Sequence, residues 1–267
     1  MKTNGSKVVL LTGTNSGIGR TAARRLAARG VRLILHARTE ETARQTRDEV
    51  AEETGSEKLE TAAADLSSLE AIRRMAGELR DRHHRLDVLI NNAGLPGGQE
   101  HTWTVNVVAP FLLSHELRRL LAASQGEARL LNVASAAQAT IDLDELPGKP
   151  GAEGPSSYSR SKLALVMLSF EMARRWSGDG IMVNALHPGT LLDTRMVREH
   201  YGPPQGDADE GGEVLEYLAL SGELQGVTGE YFLQKRRRRA DGQAYNEKAC
   251  AQLWEITSRM AGVARVQ

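Results

Sequence analysis

The chain has 267 residues, and its 34 Lys+Arg balance 34 Asp+Glu, so no global field draws it to nucleic acid or to an anionic membrane. Its one cysteine, Cys250, excludes an internal disulfide and a Cys-rich metal site. The seven histidines form no His-Glu-x-x-His run and no Cys/His cluster, so no metal is expected. The N-terminal apolar run is too short for a signal peptide, and no stretch reaches the roughly 18 apolar residues of a membrane span. These features predict a soluble, cytoplasmic protein. Arginine exceeds lysine and alanine is abundant, a composition that fits a GC-rich bacterial genome.

In chain order, "KVVLLTG" is a short apolar run ending in glycine and reads as a buried strand. "IGRTAARRLAARG" carries Ile18, Ala22 and Leu26 at helical spacing and stops at Gly30. "VRLILHAR" is a second strand, followed by the charged surface helix "EETARQTRDEVAEETG". A strand around "LETAAADL" leads to the helix "SLEAIRRMAGELRDRH", with Ser67 or Ser68 as its N-cap. "LDVLINNAG" and "ARLLNVASAA" are strands on either side of the long helix "TWTVNVVAPFLLSHELRRLLAAS". A helix from Tyr158 to Trp176, the strand "GIMVNALHPG" and a seventh strand in "VTGEYFL" complete the pattern.

Short, nearly continuous apolar strands alternating with helices predict an α/β fold, a doubly wound parallel sheet of about seven strands covered on both faces. Residues 1–267 read as one domain. Segments 141–157 and 201–212 are rich in Gly, Pro and Asp and read as loops. A mobile substrate lid is expected over about 190–227 and a C-terminal extension over about 234–267. The basic run 235–239 reads as a solvated loop, with a phosphate- or partner-binding patch as the alternative.

"LLTGTNSGIGR" joins the first strand to the first helix. Gly13, Gly17 and Gly19 let the backbone approach an anion, and Asn15, Ser16 and Ile18 complete a turn that aims the helix N-terminus at a pyrophosphate. The Gly-Lys-Ser/Thr of a nucleoside triphosphate loop is missing, so a dinucleotide is expected. An acidic residue at the end of the second strand would grip a ribose 2′-hydroxyl. Here the strand ends "LHARTE", and Arg38 suits a 2′-phosphate, with His36 and Arg20 assisting. NADP(H) is therefore expected rather than NAD(H).

"SYSRSKLALVML" places Tyr158 and Lys162 one helical turn apart. Two readings stand for the pair alone. Lys162 snorkels past a tyrosine at the core edge, or its ammonium lowers the phenol's pKa for proton exchange. With the glycine-rich turn, "NNAG", Ser135, Tyr158-x-x-x-Lys162 and "HPG" in one order, the sequence resembles the short-chain dehydrogenase/reductase family, in its retinol-dehydrogenase-like branch. The resemblance runs from about Lys7 to Leu233. Further cues are "DLSSLEAIR", "IDLDEL" and "VTGEYF".

The resemblance implies a Rossmann-type fold and an oxidoreductase that reduces a ketone or aldehyde, or oxidises the alcohol. It implies that Tyr158 is the general acid/base, that Lys162 tunes it and binds the nicotinamide ribose, and that Ser135 bonds the substrate oxygen. Asn106 would hold a water of the proton relay. Asp65 and Leu66 match the segment near the adenine; Asp65 also suits a helix-cap partner. Asn92, Ala93 and Gly94 match the segment along the adenosine ribose. Pro188, Gly189 and Thr194 match the segment beside the nicotinamide, with Thr194 one residue late.

The loop from Gly94 to Asn106 is shorter than expected for this branch, so an open pocket is predicted. Trp103 and His101 are then candidate substrate contacts, with Trp103 read first as packing under the helix. Leu191, Leu192, Met196, Val197, Leu215, Tyr217 and Leu218 read as an apolar mouth, which predicts a hydrophobic small-molecule substrate. The helices 103–123 and 157–176 carry more apolar positions than one buried face requires, which predicts a homo-oligomer, dimer or tetramer. Two rival functions are weighed. A nucleotide-sugar epimerase or dehydratase needs more chain after "HPG", and a non-catalytic NADP sensor does not need Ser135, Tyr158 and Lys162 together.

Overall fold

A strand that must be buried on both faces needs unbroken apolar sequence, and Val8–Thr12 (β1) is buried at every position. A computed structural model describes residues 6–98, 101–124, 128–144, 146 and 157–263. The predicted elements follow: α1 (Gly17–Ala28), β2 (Arg32–Ala37), α2 (Glu40–Thr54), β3 (Leu59–Ala63), α3 (Leu69–Arg82) and β4 (Val88–Asn91). Ser68, not Ser67, caps α3, accepting from the Ala71 amide at 3.2 Å. A π-helical turn, Thr104–Val108, leads into α4 (Ala109–Ala122). Next come β5 (Ala128–Val133), α5 (Ser157–Arg175), β6 (Ile181–His187), α6 (Arg195–His200), α7 (Ala208–Leu220), β7 (Tyr231–Leu233), β8 (Arg236–Arg238) and α8 (Glu247–Ala261).

The sheet order is β3-β2-β1-β4-β5-β6-β7-β8, parallel throughout except for the antiparallel β8. The order reverses beside β1. Its C-terminal end and that of β4 therefore open a crevice, the usual ligand site of such sheets. One core lies between the sheet and α3, α4, α5 and α8. The other lies beneath α1, α2 and α7.

Three expectations change. The basic run is not a loop: Arg236, Arg237 and Arg238 form the exposed edge strand β8, where charge discourages further strand pairing. The segment 201–212 is not all loop. Asp207 and Glu210 make a capping box that starts α7, and this Asp-x-x-Glu spacing was legible as a helix start. Helix α7 lies so close to α1 that a Cβ at Gly212 would stand 2.5 Å from Thr21 Oγ1. Arg25 pairs with Asp209 and Glu216 across the same contact.

The third change concerns the apolar surplus on α4 and α5. Helix α8 covers it within the chain. Trp254 packs edge-on against Phe111 at 4.9 Å and beneath the Arg175 guanidinium at 4.6 Å. The sequence argument for a partner copy therefore loses its basis. Among the described residues no helix is long and apolar enough to cross a membrane. Most of the expected 141–157 loop lies outside the described residues.

Candidate active site

Helix α1 begins without help from its own side chains. Ser16 at the N-cap makes no side-chain cap bond, and the first turn holds no acidic residue. Its free N–H groups and positive dipole end are left for an external anion. Gly13 takes φ +70° ahead of it, and a Cβ at Gly19 would lie 1.9 Å from the Gly13 carbonyl oxygen. Only glycine allows this approach. Asn15 and Ser16 are exposed at the rim, while Ile18 packs back onto the α7 core.

The turn is tied to β4 and β2. Thr12 Oγ1 accepts from the Asn92 and Ala93 amides at 2.9 and 3.0 Å. Asn92 Nδ2 donates to the Thr12 carbonyl at 2.8 Å, so its side chain is spent on holding the turn. His36 is fully buried. Its Nδ1 accepts from the Gly13 amide at 3.3 Å and its Nε2 meets the Ala64 carbonyl at 3.1 Å. Burial pushes this imidazole down to about 4, so it is neutral and cannot assist a phosphate as a cation. Arg20 is also removed from that role. It lies along α2, paired with Glu49 at 2.7 Å and Glu53 at 2.5 Å.

Arg38 stands exposed just past β2. The nearest acid in sequence, Glu40, is turned to Arg44 at 2.9 Å and Thr61 at 3.2 Å. Asp65 accepts from the Ser67 amide at 2.9 Å and its hydroxyl at 2.7 Å. These bonds first, and Arg38's charge after them, hold its carboxyl below the usual range. Leu66 is buried in the core, so only its backbone is free to face a base.

At the other end of the crevice, the start of α5 and the end of β5 meet. Tyr158, half-buried, has the Ser135 side chain beside it, near enough to act against the rise of its pKa. Ser135 Oγ accepts from the Ala137 amide at 3.1 Å, which leaves its proton for an oxygen in the crevice. Lys162 is buried, with Nζ 5.5 Å from the Tyr158 ring centroid and donating to the Val133 carbonyl at 2.8 Å. Burial brings Lys162 down to about 8. It also drives Tyr158 up to about 12, against the smaller opposing effect of Ser135. The expected lowering of the phenol's pKa is therefore absent in the protein alone, because both groups are desolvated together.

Asn106 sits in the π-helical turn. Its Oδ1 accepts from the Leu95 amide at 2.8 Å, and its Nδ2 donates to the Leu95 carbonyl at 2.9 Å and to Ser161 Oγ at 3.0 Å. The side chain is thus fully used. Its backbone carbonyl differs: the residue four positions on is Pro110, which has no N–H to give. Gly94 lies directly against both groups; a Cβ there would be 3.2 Å from Asn106 Oδ1 and 3.4 Å from Lys162 Nζ.

The far rim comes from the chain after β6. Pro188 is buried, and Thr194 stands against Gly17, so close that a Cβ on Gly17 would be 2.9 Å from Thr194 Cγ2. Gly189 packs on Leu192. His187 Nε2 meets Thr190 Oγ1 at 3.1 Å, and burial with Lys162's charge pushes it down to about 4. The expected apolar mouth shrinks. Leu215 and Leu218 belong to the core under α7, Tyr217 bonds Glu223 at 2.8 Å, and Leu192 is buried. Trp103 packs against the core under α4, and His101 is exposed. The residue the reading missed is Tyr201. It reaches from the end of α6 to place its ring 5.7 Å from that of Tyr158.

A glycine-lined turn, a free helix end, a cleft without a Cβ at 94 and a half-buried Tyr158 beside Ser135 and buried Lys162 fit a dinucleotide. The chain matches the family model for short chain dehydrogenases over residues 7–203, and it belongs to that family. Members are oxidoreductases that work with nicotinamide cofactors on small molecules. Human retinol dehydrogenase 14 is 35% identical over 293 residues, covering 96% of this chain and 87% of its own. A Pseudomonas aeruginosa RhlG/NADP active-site complex is 28% identical, with a TM-score of 0.72 over 86% of this chain and 95% of that one. An actinorhodin polyketide ketoreductase with NADPH is 29% identical, with a TM-score of 0.70 over 87% and 97%.

Proposed function

We propose that the protein is an NADP(H)-dependent, cytoplasmic oxidoreductase that interconverts a hydrophobic ketone or aldehyde and its alcohol. The observation that carries this reading is the meeting of Tyr158 and Ser135 beside buried Lys162, whose Nζ lies 5.5 Å from the Tyr158 ring centroid, at the end of a crevice that starts at a free helix N-terminus. A bound nicotinamide supplies or accepts the hydride. The chain's own residues do the rest. Ser135 and Tyr158 both hydrogen-bond the substrate oxygen, and Tyr158 donates its proton as negative charge grows there. Lys162 holds positive charge beneath the phenol, which favours the phenolate left behind. The Asn106 carbonyl, which has Pro110 rather than an N–H four positions on, is the site for a water that returns the proton. Pro188, Gly189 and Thr194 line the nicotinamide end, and Gly94, expected along the adenosine ribose, joins them because it lies against Asn106 and Lys162. Asp65, Leu66, Asn92 and Ala93 line the adenosine end.

NADP(H) is favoured over NAD(H) by Arg38 at the end of β2 and by the engagement of Glu40 elsewhere. The NADP and NADPH complexes among the similar structures support the same choice. The substrate lid narrows to residues 190–206, since α7 is docked on α1. The decisive test is Tyr158→Phe. The variant should bind NADPH with wild-type affinity by fluorescence titration and lose at least about 100-fold in carbonyl-dependent NADPH oxidation. Wild-type turnover in the variant would sink the mechanism.

A further inference from the structure

Tyr201 is half-exposed at 42%, yet its position is specified at both ends. Its ring is tilted 52° to that of Tyr158 at a centroid distance of 5.7 Å. Its hydroxyl lies beside the Gly97 backbone, whose N–H acts to lower the phenol's pKa against the larger effect of burial. The segment that carries it is closed on itself. Leu192 bridges Gly206, the Asp193 amide donates to the Gly206 carbonyl at 2.7 Å and the Gln205 amide to Leu191 at 2.8 Å. Arg198 clamps Asp193. Leu191 is held at φ 47°, a conformation that costs a branched residue about 1–2 kcal/mol. The Tyr201 amide ends α6 by donating to the Val197 carbonyl at 2.9 Å. Tyr201 thus reaches from the Tyr158 ring to the Gly97 backbone.

We propose that Tyr201 is the specificity-determining residue of the site, a ring that walls the mouth over Tyr158 and sets the size of the aryl or alicyclic group a carbonyl substrate can carry. The inference rests on the activity proposed above. An aromatic ring in tilted contact with that of the proton donor, with part of its surface in solvent, both attracts flat apolar substrates and limits their width. The remaining exposed large apolar side chains among the described residues are Leu233 and Tyr245, and the Tyr245 ring packs on Phe170.

The test compares wild type, Tyr201→Ala and Tyr201→Phe with two probes, acetophenone and the fluorescent 2-acetylanthracene. For each we would measure equilibrium binding to the NADPH-saturated protein, kcat and KM. Tyr201→Ala should raise the preference for 2-acetylanthracene over acetophenone about tenfold in binding and in KM, with NADPH affinity unchanged. Tyr201→Phe keeps the ring and should keep the wild-type size preference. A preference in Tyr201→Ala within about twofold of wild type would overturn the proposal, as would a parallel loss of NADPH affinity. If the wild type turned over neither probe, the activity reading would be in question, and the binding arm would still decide the role of Tyr201.

Discussion

The Gly13 amide donates to the buried imidazole of His36 at 3.3 Å, and that imidazole meets the Ala64 carbonyl with its other nitrogen at 3.1 Å. One neutral ring thus fastens the phosphate-binding turn to the ends of β2 and β3. A proton on Nδ1 would end the first bond, and burial keeps it off, down to about pH 4.

Acid should therefore weaken the protein in a defined window. His36, His115 and His187 are all pushed by burial from 6.5 to about 4. Between those values the unfolded chain binds more protons than the folded one, so stability falls as pH drops from about 6.5 towards 4. Urea unfolding at pH 7 and pH 5 should show this loss. His36→Gln should be less stable at pH 7 by about 1–3 kcal/mol and show a shallower slope with pH. An unchanged slope would mean that His36 titrates normally.

Arg38→Glu should reverse the cofactor preference. It removes the exposed guanidinium at the end of β2 and supplies the carboxylate that position lacks. NADPH affinity should fall at least about tenfold, the scale of one charged hydrogen bond, while NADH affinity rises. Fluorescence titration with both cofactors reads this directly. Retained NADPH preference would take Arg38 out of the site.

Trp254→Ala should destabilise by about 3–5 kcal/mol, the usual cost of truncating a buried tryptophan. Trp254 is buried among Phe111, His115 and Trp176 and roofed by Arg175. Removing residues from 247 onward would bare the apolar faces of α4 and α5, and the truncated chain should run larger on size-exclusion chromatography. A truncated chain as well behaved as wild type would show that α8 is not what covers that surface.

Much of this was legible locally. Doubly buried strands are mostly apolar, so Val8–Thr12 and Ile181–His187 announce themselves. Gly13, Gly17 and Gly19 mark a turn no other residue could make. The start of α7 was equally local, in Asp207 and Glu210, but the surrounding Gly and Pro hid it. The fate of the α4 and α5 surfaces was not local at all. An apolar helix face does not say whether a second copy or a distant helix of the same chain will cover it.

By itself, the sequence determined the alternation of strands and helices, the phosphate-binding turn and the identity of Ser135, Tyr158 and Lys162. Those follow from periodicity and from side-chain chemistry carried by single residues. Only the tertiary structure decided which charges were available. It buried His36 as a neutral peg, turned Arg20 onto Glu49 and Glu53, and left Arg38 exposed. It also decided that the Tyr158 phenol sits high at about 12 rather than low. Desolvation depends on what surrounds a group, and the surroundings of Tyr158 come from β5, α5 and, across some forty residues of chain, Tyr201.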